Sequence, residues 1–183
     1  TLVALVFSQS QMIRSSCYPY AIFLQTVPIV AIAPLVVTWM GTGFASVLVV
    51  ACIISLFPVI TNVTTGLISI DSGLQDLFRL YQASRWQMLR KLQIPNAIPH
   101  LVTGARIASG LAVVGAIVGE FFVGYGTQHH GLGYIILYSG PQLKTDQLFA
   151  ATIASSLLGV ILFMITSVIG RVAVARWYDD PLN

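Results

Sequence analysis

The stretch RLYQASRWQMLRKLQIPNAIP, Arg79 to Pro99, packs four positive charges, a Trp and two prolines into 21 residues. It interrupts a chain that is otherwise almost free of charge. Of 183 residues, 56% are hydrophobic and only 8% charged, where an ordinary soluble domain carries about 25% charged. One domain of this size has too little interior to hide that much apolar surface, so composition points to a protein embedded in lipid. The fold therefore turns on how a polar insertion fits between apolar segments.

Four longer apolar segments surround it. Residues 25–40, QTVPIVAIAPLVVTWM, are short and carry Pro28 and Pro34, which predicts a kinked helix. Residues 44–70 hold no charge before Asp71 and one internal proline, Pro58; residues 97–122 contain Arg106 and end at Glu120; residues 148–170 are uncharged. Continuous runs of this kind read as transmembrane helices rather than strands. Prolines inside them are tolerated where neighbouring helices satisfy the freed backbone groups. Residues 1–8 form an apolar run too short for a bilayer that needs roughly 20, and lack the basic start and cleavage site of a signal peptide. They are expected to be the tail of a truncated membrane helix. The expected fold class is all-α: one polytopic transmembrane helical bundle over residues 1–183, with about four full membrane helices plus that tail, and a polar loop at about 71–95.

Basic residues concentrate in loops that face the cytoplasm. Placing the polar insertion there puts Arg14, Arg79, Arg85, Arg90, Lys91, Arg171 and Arg176 on one side, seven of the nine Lys/Arg. Arg106 then lies within a helix and Lys144 outside, in an outer hairpin at about 123–147. Trp39, Tyr125 and Tyr138 are candidate interfacial anchors, with Trp177 at the inner boundary. The net charge of +3 is spread without a nucleic-acid stripe. Cys17 and Cys52 make no disulfide or metal framework. His129 and His130 are adjacent but have no third ligand at usable spacing, so no metal site is expected; the glycines around them read as turn punctuation. A phosphate-cradling loop needs G-x-x-x-x-G-K-[ST], and the nearest approach, Gly126 to Gly131, lacks the Lys and the Ser/Thr.

On a helical wheel Leu77, Tyr81, Ser84, Met88 and Leu92 share one side, with Arg79, Gln82, Trp86, Arg90 and Gln93 opposite. The insertion is thus an amphipathic helix, or two short ones, and Pro95 and Pro99 are expected to mark where it stops and the next membrane helix begins. Two readings stay open on physical grounds: the segment lies on anionic headgroups, or it fits a groove on a partner.

Residues 76–95 resemble the cytoplasmic loop of ATP-binding-cassette importer permeases. That pattern runs Glu-Ala-Ala, three residues, Gly, nine residues, Ile, one residue, Leu-Pro. Here the spacing is kept by Asp76, Leu77 and Phe78, then Gln82, then Leu92, then Ile94 and Pro95. Asp stands for Glu, Leu77 and Phe78 for two alanines, and Gln82 for the glycine. The resemblance extends through QTVPIVAIAPLVVTWMGTG, TGARIASGLAVVGAIVGEF and GLGYIIL, and is greatest to the nitrate, sulfonate and taurine permease group. It implies that Asp76, Leu77, Phe78, Arg79, Gln82, Ala83, Ser84, Arg85 and Trp86 form a coupling helix docked on a nucleotide-binding ATPase subunit. It also implies a second permease copy, as a homodimer, and an extracytoplasmic substrate-binding protein, all at the bacterial cytoplasmic membrane. The chain itself would then hold no catalytic residue, metal or cofactor, with ATP and Mg used by the partner, and no nucleic acid would be involved.

The helix at 97–122 is the candidate pathway or packing element. Gly104, Ala108, Ala112 and Ala116 repeat every four residues and Gly115 and Gly119 add a second pair, so backbones can approach closely. Arg106 and Glu120 are separated by roughly 21 Å along the helix and cannot pair within it. For Arg106 the readings are a reach to headgroups or to another helix's carbonyls; for Glu120, a contact with substrate or binding protein, or a solvated interfacial carboxylate. Outside the importer class, an ion-coupled transporter would want paired intramembrane acids or an inverted repeat, neither of which is visible, and a membrane scaffold would use the amphipathic segment alone.

Overall fold

The computed structural model describes residues 26–123 and 131–178, and every regular element among them is helical. The expected membrane tail at 1–8, Arg14, Cys17, Tyr125 and the His129–His130 pair lie outside the described residues. In chain order the elements are α1 (Ile29–Met40), α2 (Phe44–Ile68), α3 (Ser72–Leu80), α4 (Arg85–Met88), a π-helical turn (Leu89–Gln93), α5 (Ile94–Val123), α6 (Leu132–Ser139) and α7 (Thr145–Tyr178). Three stretches are long and apolar enough to cross a membrane: Phe44–Ile68, Arg85–Val123 and Thr145–Ala175. The segment expected first, 25–40, forms a helix of 12 residues, about 18 Å at 1.5 Å per residue, against a hydrocarbon core of about 30 Å. Pro28 caps its start, where a fixed φ suits the chain entering a helix, and Pro34 lies inside it.

The most extensive contact joins α2 and α5. Bare backbone makes it possible. A Cβ added at Gly115 would lie 2.7 Å from the Ala51 Cα, one at Gly104 3.0 Å from the Pro58 carbonyl, one at Gly119 3.1 Å from the Val47 Cα, and one at Gly66 2.8 Å from the Ala97 Cα. Two apolar clusters fill the remainder. Val63, Leu67 and Ala97 are buried toward the α3 end of this pair; Ala33, Val36, Val50 and Val118, from α1, α2 and α5, are buried toward the other. Asn96 adds a polar tie, its Nδ2 donating to the Gly66 carbonyl at 2.7 Å and the Ser69 carbonyl at 3.3 Å.

Most of α7 is left uncovered by the other described residues. Only 11% of its most apolar window is buried inside the chain, and Phe149, Ile153, Leu157, Ile161 and Met164 all face outward. The hydroxyls on that helix turn back onto it: Thr152 donates to the Leu148 carbonyl at 2.8 Å and Ser156 to the Thr152 carbonyl at 2.9 Å. In hydrocarbon, where no water can satisfy them, such local bonds remove the cost of exposing these groups.

The polar insertion takes the second of the two forms left open by its sequence, two short helices, so the single wheel drawn from Leu77 to Gln93 does not hold across it. Asp71 caps α3, accepting from the Gly73 N–H at 2.7 Å and the Leu74 N–H at 3.2 Å. At the other end Ala83 N–H donates to the Phe78 carbonyl and Gln82 N–H to the Arg79 carbonyl, with Gln82 at φ 51°. This is a Schellman ending, whose left-handed position favours glycine. Here Gln82 occupies the place where the resembled pattern carries Gly. Ser84 then restarts the helix with a capping box: its Oγ accepts from Gln87 N–H and its N–H donates to Gln87 Oε1.

Pro95 does not stop the chain, contrary to expectation. Helix runs without a break from Arg85 to Val123, 39 residues. Because proline lacks an N–H and crowds the carbonyl four residues back, the turn before it widens, with Ile94 N–H donating to the Leu89 carbonyl five residues earlier. The bend falls at Tyr81–Ser84 instead.

Two outcomes follow for stability, read as thermal melting of the full-length protein in detergent. Gly115→Leu should destabilise by about 1–3 kcal/mol or more through overpacking against α2. Gly110→Ala, whose added Cβ meets nothing within 4 Å, should be neutral or stabilising by up to about 1 kcal/mol. At the elbow, Gln82→Gly should relieve the left-handed strain and stabilise the turn by about 0.5–1 kcal/mol. Slower amide exchange over residues 78–84 would register it, while Gln82→Val should speed the same exchange.

Candidate functional site

The elbow made by α3, the Gln82 turn and α4 buries none of its residues. α3 makes no extensive contact with another described helix. Its apolar side is nevertheless well formed: Leu74, Leu77, Leu80 and Tyr81 are all exposed, Leu80 at 79% and Tyr81 at 78%, with Trp86 beyond the turn at 66%. Arg79, Arg85, Arg90 and Lys91 are exposed among them. Arg79 meets Asp76 at 3.4 Å, a pair so open to solvent that it contributes little to stability. Of the residues singled out from sequence, Asp76, Leu77, Arg79, Gln82, Ser84, Arg85 and Trp86 lie exposed on this one projection. Phe78 and Ala83 are half-buried, and their backbones close the turn. The structure thus brings the whole group together, on a surface rather than in a pocket.

The small residues of α5 do not act as one face. A stride of four residues drifts by 40° each time on a 100° helix, so the row from Gly104 through Ala108, Ala112 and Ala116 to Glu120 winds nearly halfway round. Gly104, Gly115 and Gly119 meet α2. Ala112, Ala116 and Glu120 instead line a cavity of about 250 Å³, with Val113 and Ile117 of α5, Leu132 of α6, and Leu158 and Leu162 of α7. Gly104 and Gly115 share a side because eleven residues are close to three full turns. Ala108, between the two rows, is half-buried.

Both charges of α5 are held by backbone from other helices. Arg106 Nη2 donates to the Ser167 carbonyl of α7 at 3.4 Å, and one turn further Thr166 Oγ1 donates to Ser109 Oγ at 3.2 Å. Arg106 Nε and Ser167 Oγ are buried at the same joint without a partner among the described residues. Glu120 is half-buried rather than a freely solvated interfacial carboxylate. Its Oε2 accepts from the Gly133 N–H at 2.7 Å. Gly131 abuts the same carboxylate, and a Cβ at Gly133 would strike the Ile117 carbonyl and lie 2.8 Å from the Glu120 Cβ. Sequence reading took these glycines as turn punctuation and missed that they seat Glu120; a G-x-G opening an apolar helix shortly after a membrane-level Glu is the pattern that carries it. Among the described residues, no three His, Cys, Asp or Glu side chains gather to hold a metal.

Comparison with known proteins gives this arrangement its context. The chain is 35% identical over 153 residues to a riboflavin transport system permease protein of Chloroflexus aurantiacus, covering 84% of the chain and 55% of that relative. It is 33% identical over 162 residues to a formylaminopyrimidine transport permease protein of Halalkalibacterium halodurans, covering 88% of the chain and 63% of the relative. The chain therefore spans little more than half the length of these curated relatives. Residues 1–177 match the family model described as binding-protein-dependent transport system inner membrane component. With its membrane-length helices and a family match over residues 1–177, the chain belongs to that family of inner-membrane transport components.

Proposed function

We propose that this chain forms part of the permease subunit of an ATP-driven importer, and that its elbow is the docking surface for a nucleotide-binding ATPase subunit in the cytoplasm. One observation carries the reading: an apolar face among arginines, covered by none of the other described residues, ends at Trp86 on a helix that continues without a break into the membrane span. The cost of leaving such a face in water favours a partner, and exposed Trp and Arg are the residue types that dominate binding energy in interfaces.

Continuity supplies the mechanics. From Arg85 to Val123 the helix covers about 58 Å, so displacement applied at Trp86 is delivered to the far end of α5 and, through the glycine contacts, to α2. ATP binding and hydrolysis, with Mg, belong to the partner in this reading. Nucleotide shifts the permease between inward-open and outward-open states only because it binds the two global states with different affinity. A second copy of the permease, as a homodimer, and an external binding protein that delivers solute complete the assembly. For the solute, similarity to the riboflavin and formylaminopyrimidine permeases supports a small neutral or weakly charged heterocycle ahead of a nitrate, sulfonate or taurine type of oxyanion. The scarcity of cations in the membrane helices points the same way.

The reading is tested with the full-length protein and its ATPase in membranes. Arg85→Ala combined with Trp86→Ala should leave membrane insertion at parental levels. Solute uptake and solute-stimulated ATP hydrolysis should fall by at least about tenfold, the loss expected when interface hot spots are truncated. Undiminished stimulated hydrolysis would count against the docking surface. An intact protein that binds no ATPase and moves solute on an ion gradient alone would overturn the importer reading itself.

A further inference from the structure

The cavity between α5, α6 and α7 ends at Glu120. Small side chains, Ala112 and Ala116, leave the space open on the α5 side, and leucines from α6 and α7 close it opposite. At the start of α6, Leu132 faces the cavity with Ile117, Leu158 and Leu162, and one polar contact joins the helix to α5 there. Its seat is the Glu120 carboxylate, which takes the Gly133 N–H at 2.7 Å and lies against Gly131 so closely that a side chain on either glycine would collide with it. Gly131 caps α6 in extended backbone, with no side-chain cap of its own, so the carboxylate does what a capping residue does elsewhere: it satisfies an orphan N–H and meets the positive end of the helix. Such a contact is strong while closed, yet it is a single hydrogen bond and can be undone as a unit.

We propose that Glu120 is a positioning residue that latches α6 onto α5 and thereby narrows the cavity at its α6 end, so that release of this latch widens the cavity. The importer reading enters only in naming that end the outer one.

The test uses full-length protein in sealed vesicles, with Cys17 and Cys52 replaced by Ser and the variant Ala116→Cys as reporter, reacted with a membrane-impermeant maleimide. With Glu120 intact the thiol should react slowly. Glu120→Ala should accelerate labelling by at least about tenfold, the population shift expected for losing a hydrogen bond to a charged group. Gly133→Ala should do the same while keeping the carboxylate, because its methyl group would strike the Ile117 carbonyl and the Glu120 side chain and push the start of α6 away from α5; it also decides the matter if the Glu120→Ala protein fails to fold. Glu120→Gln keeps an acceptor oxygen in place and should label at a rate closer to the parent than to the Ala variant. That rescue separates a latch from a general loss of packing. Unchanged labelling in both Glu120→Ala and Gly133→Ala, or a Gln variant as fast as the Ala variant, would overturn the proposal. A separate Arg85→Cys reporter, labelled from the opposite side of the membrane, checks orientation independently. If both reporters react from the same side, the importer topology fails while the latch stands or falls on the rates alone.

Discussion

Backbone meets backbone where α2 crosses α5, and the rest of the structure is arranged around that contact. In lipid there is no hydrophobic gain from burying one apolar side chain against another, because the surrounding tails are as apolar as leucine. What holds two helices together is closeness. Gly66 on α2 and Gly104, Gly115 and Gly119 on α5 supply it over most of the length of the pair, with gaps in which not even a methyl group fits. The clusters at Leu67 and Val50 fill in around this seam.

Around the seam α5 recruits its other neighbours by charge. Arg106 reaches the Ser167 carbonyl on α7, and Glu120 reaches the Gly133 N–H on α6. Each charge faces the backbone pole of opposite sign, and neither faces the other. An ionised side chain at membrane depth is costly unless its hydrogen bonds are met, so each works as a staple whose release is penalised. The single long helix thus meets α2 and α1 by apolar packing, and α6 and α7 by polar contacts as well as packing.

Much of this was legible in the sequence, and the failures have identifiable causes. The apolar segments at 44–70, 97–122 and 148–170 were readable because hydrophobic runs of that length have few alternatives. The elbow was readable from charge and from the spacing of Asp76, Gln82 and Pro95. The place of its internal break was not, because a wheel assumes one axis and nothing in a periodicity reveals that Gln82 adopts a conformation usually left to glycine. Pro95 misled for the opposite reason: proline forbids one hydrogen bond, and a π-helical turn reroutes that bond without ending the helix. The row of small residues on α5 was recognised as one repeat, since stride-four counting overlooks a drift of 40° per step that turns Ala116 away from the side of Gly104. Gly131 and Gly133 were invisible as a seat because their meaning depends on Glu120, which the fold brings to them.

The same drift explains how one helix can be both rigid and hollow-sided. Were the small residues spaced strictly by eleven, all would face α2 and α5 would carry no cavity. Were they spaced strictly by four, the seam would be lost after two turns. The chain interleaves the two, so glycines keep the α2 contact while alanines on the adjoining side leave room before α7. A helix built this way moves with α2 as a unit, because separating them opens a void along the whole seam. On the adjoining side α5 meets α6 and α7 through the Glu120 and Arg106 hydrogen bonds and through apolar packing, as where Gly170 of α7 closes on Val102. In the importer reading, a push at the elbow would carry α5 and α2 together and bear on α6 and α7 along the face where Ala112, Ala116 and Glu120 lie.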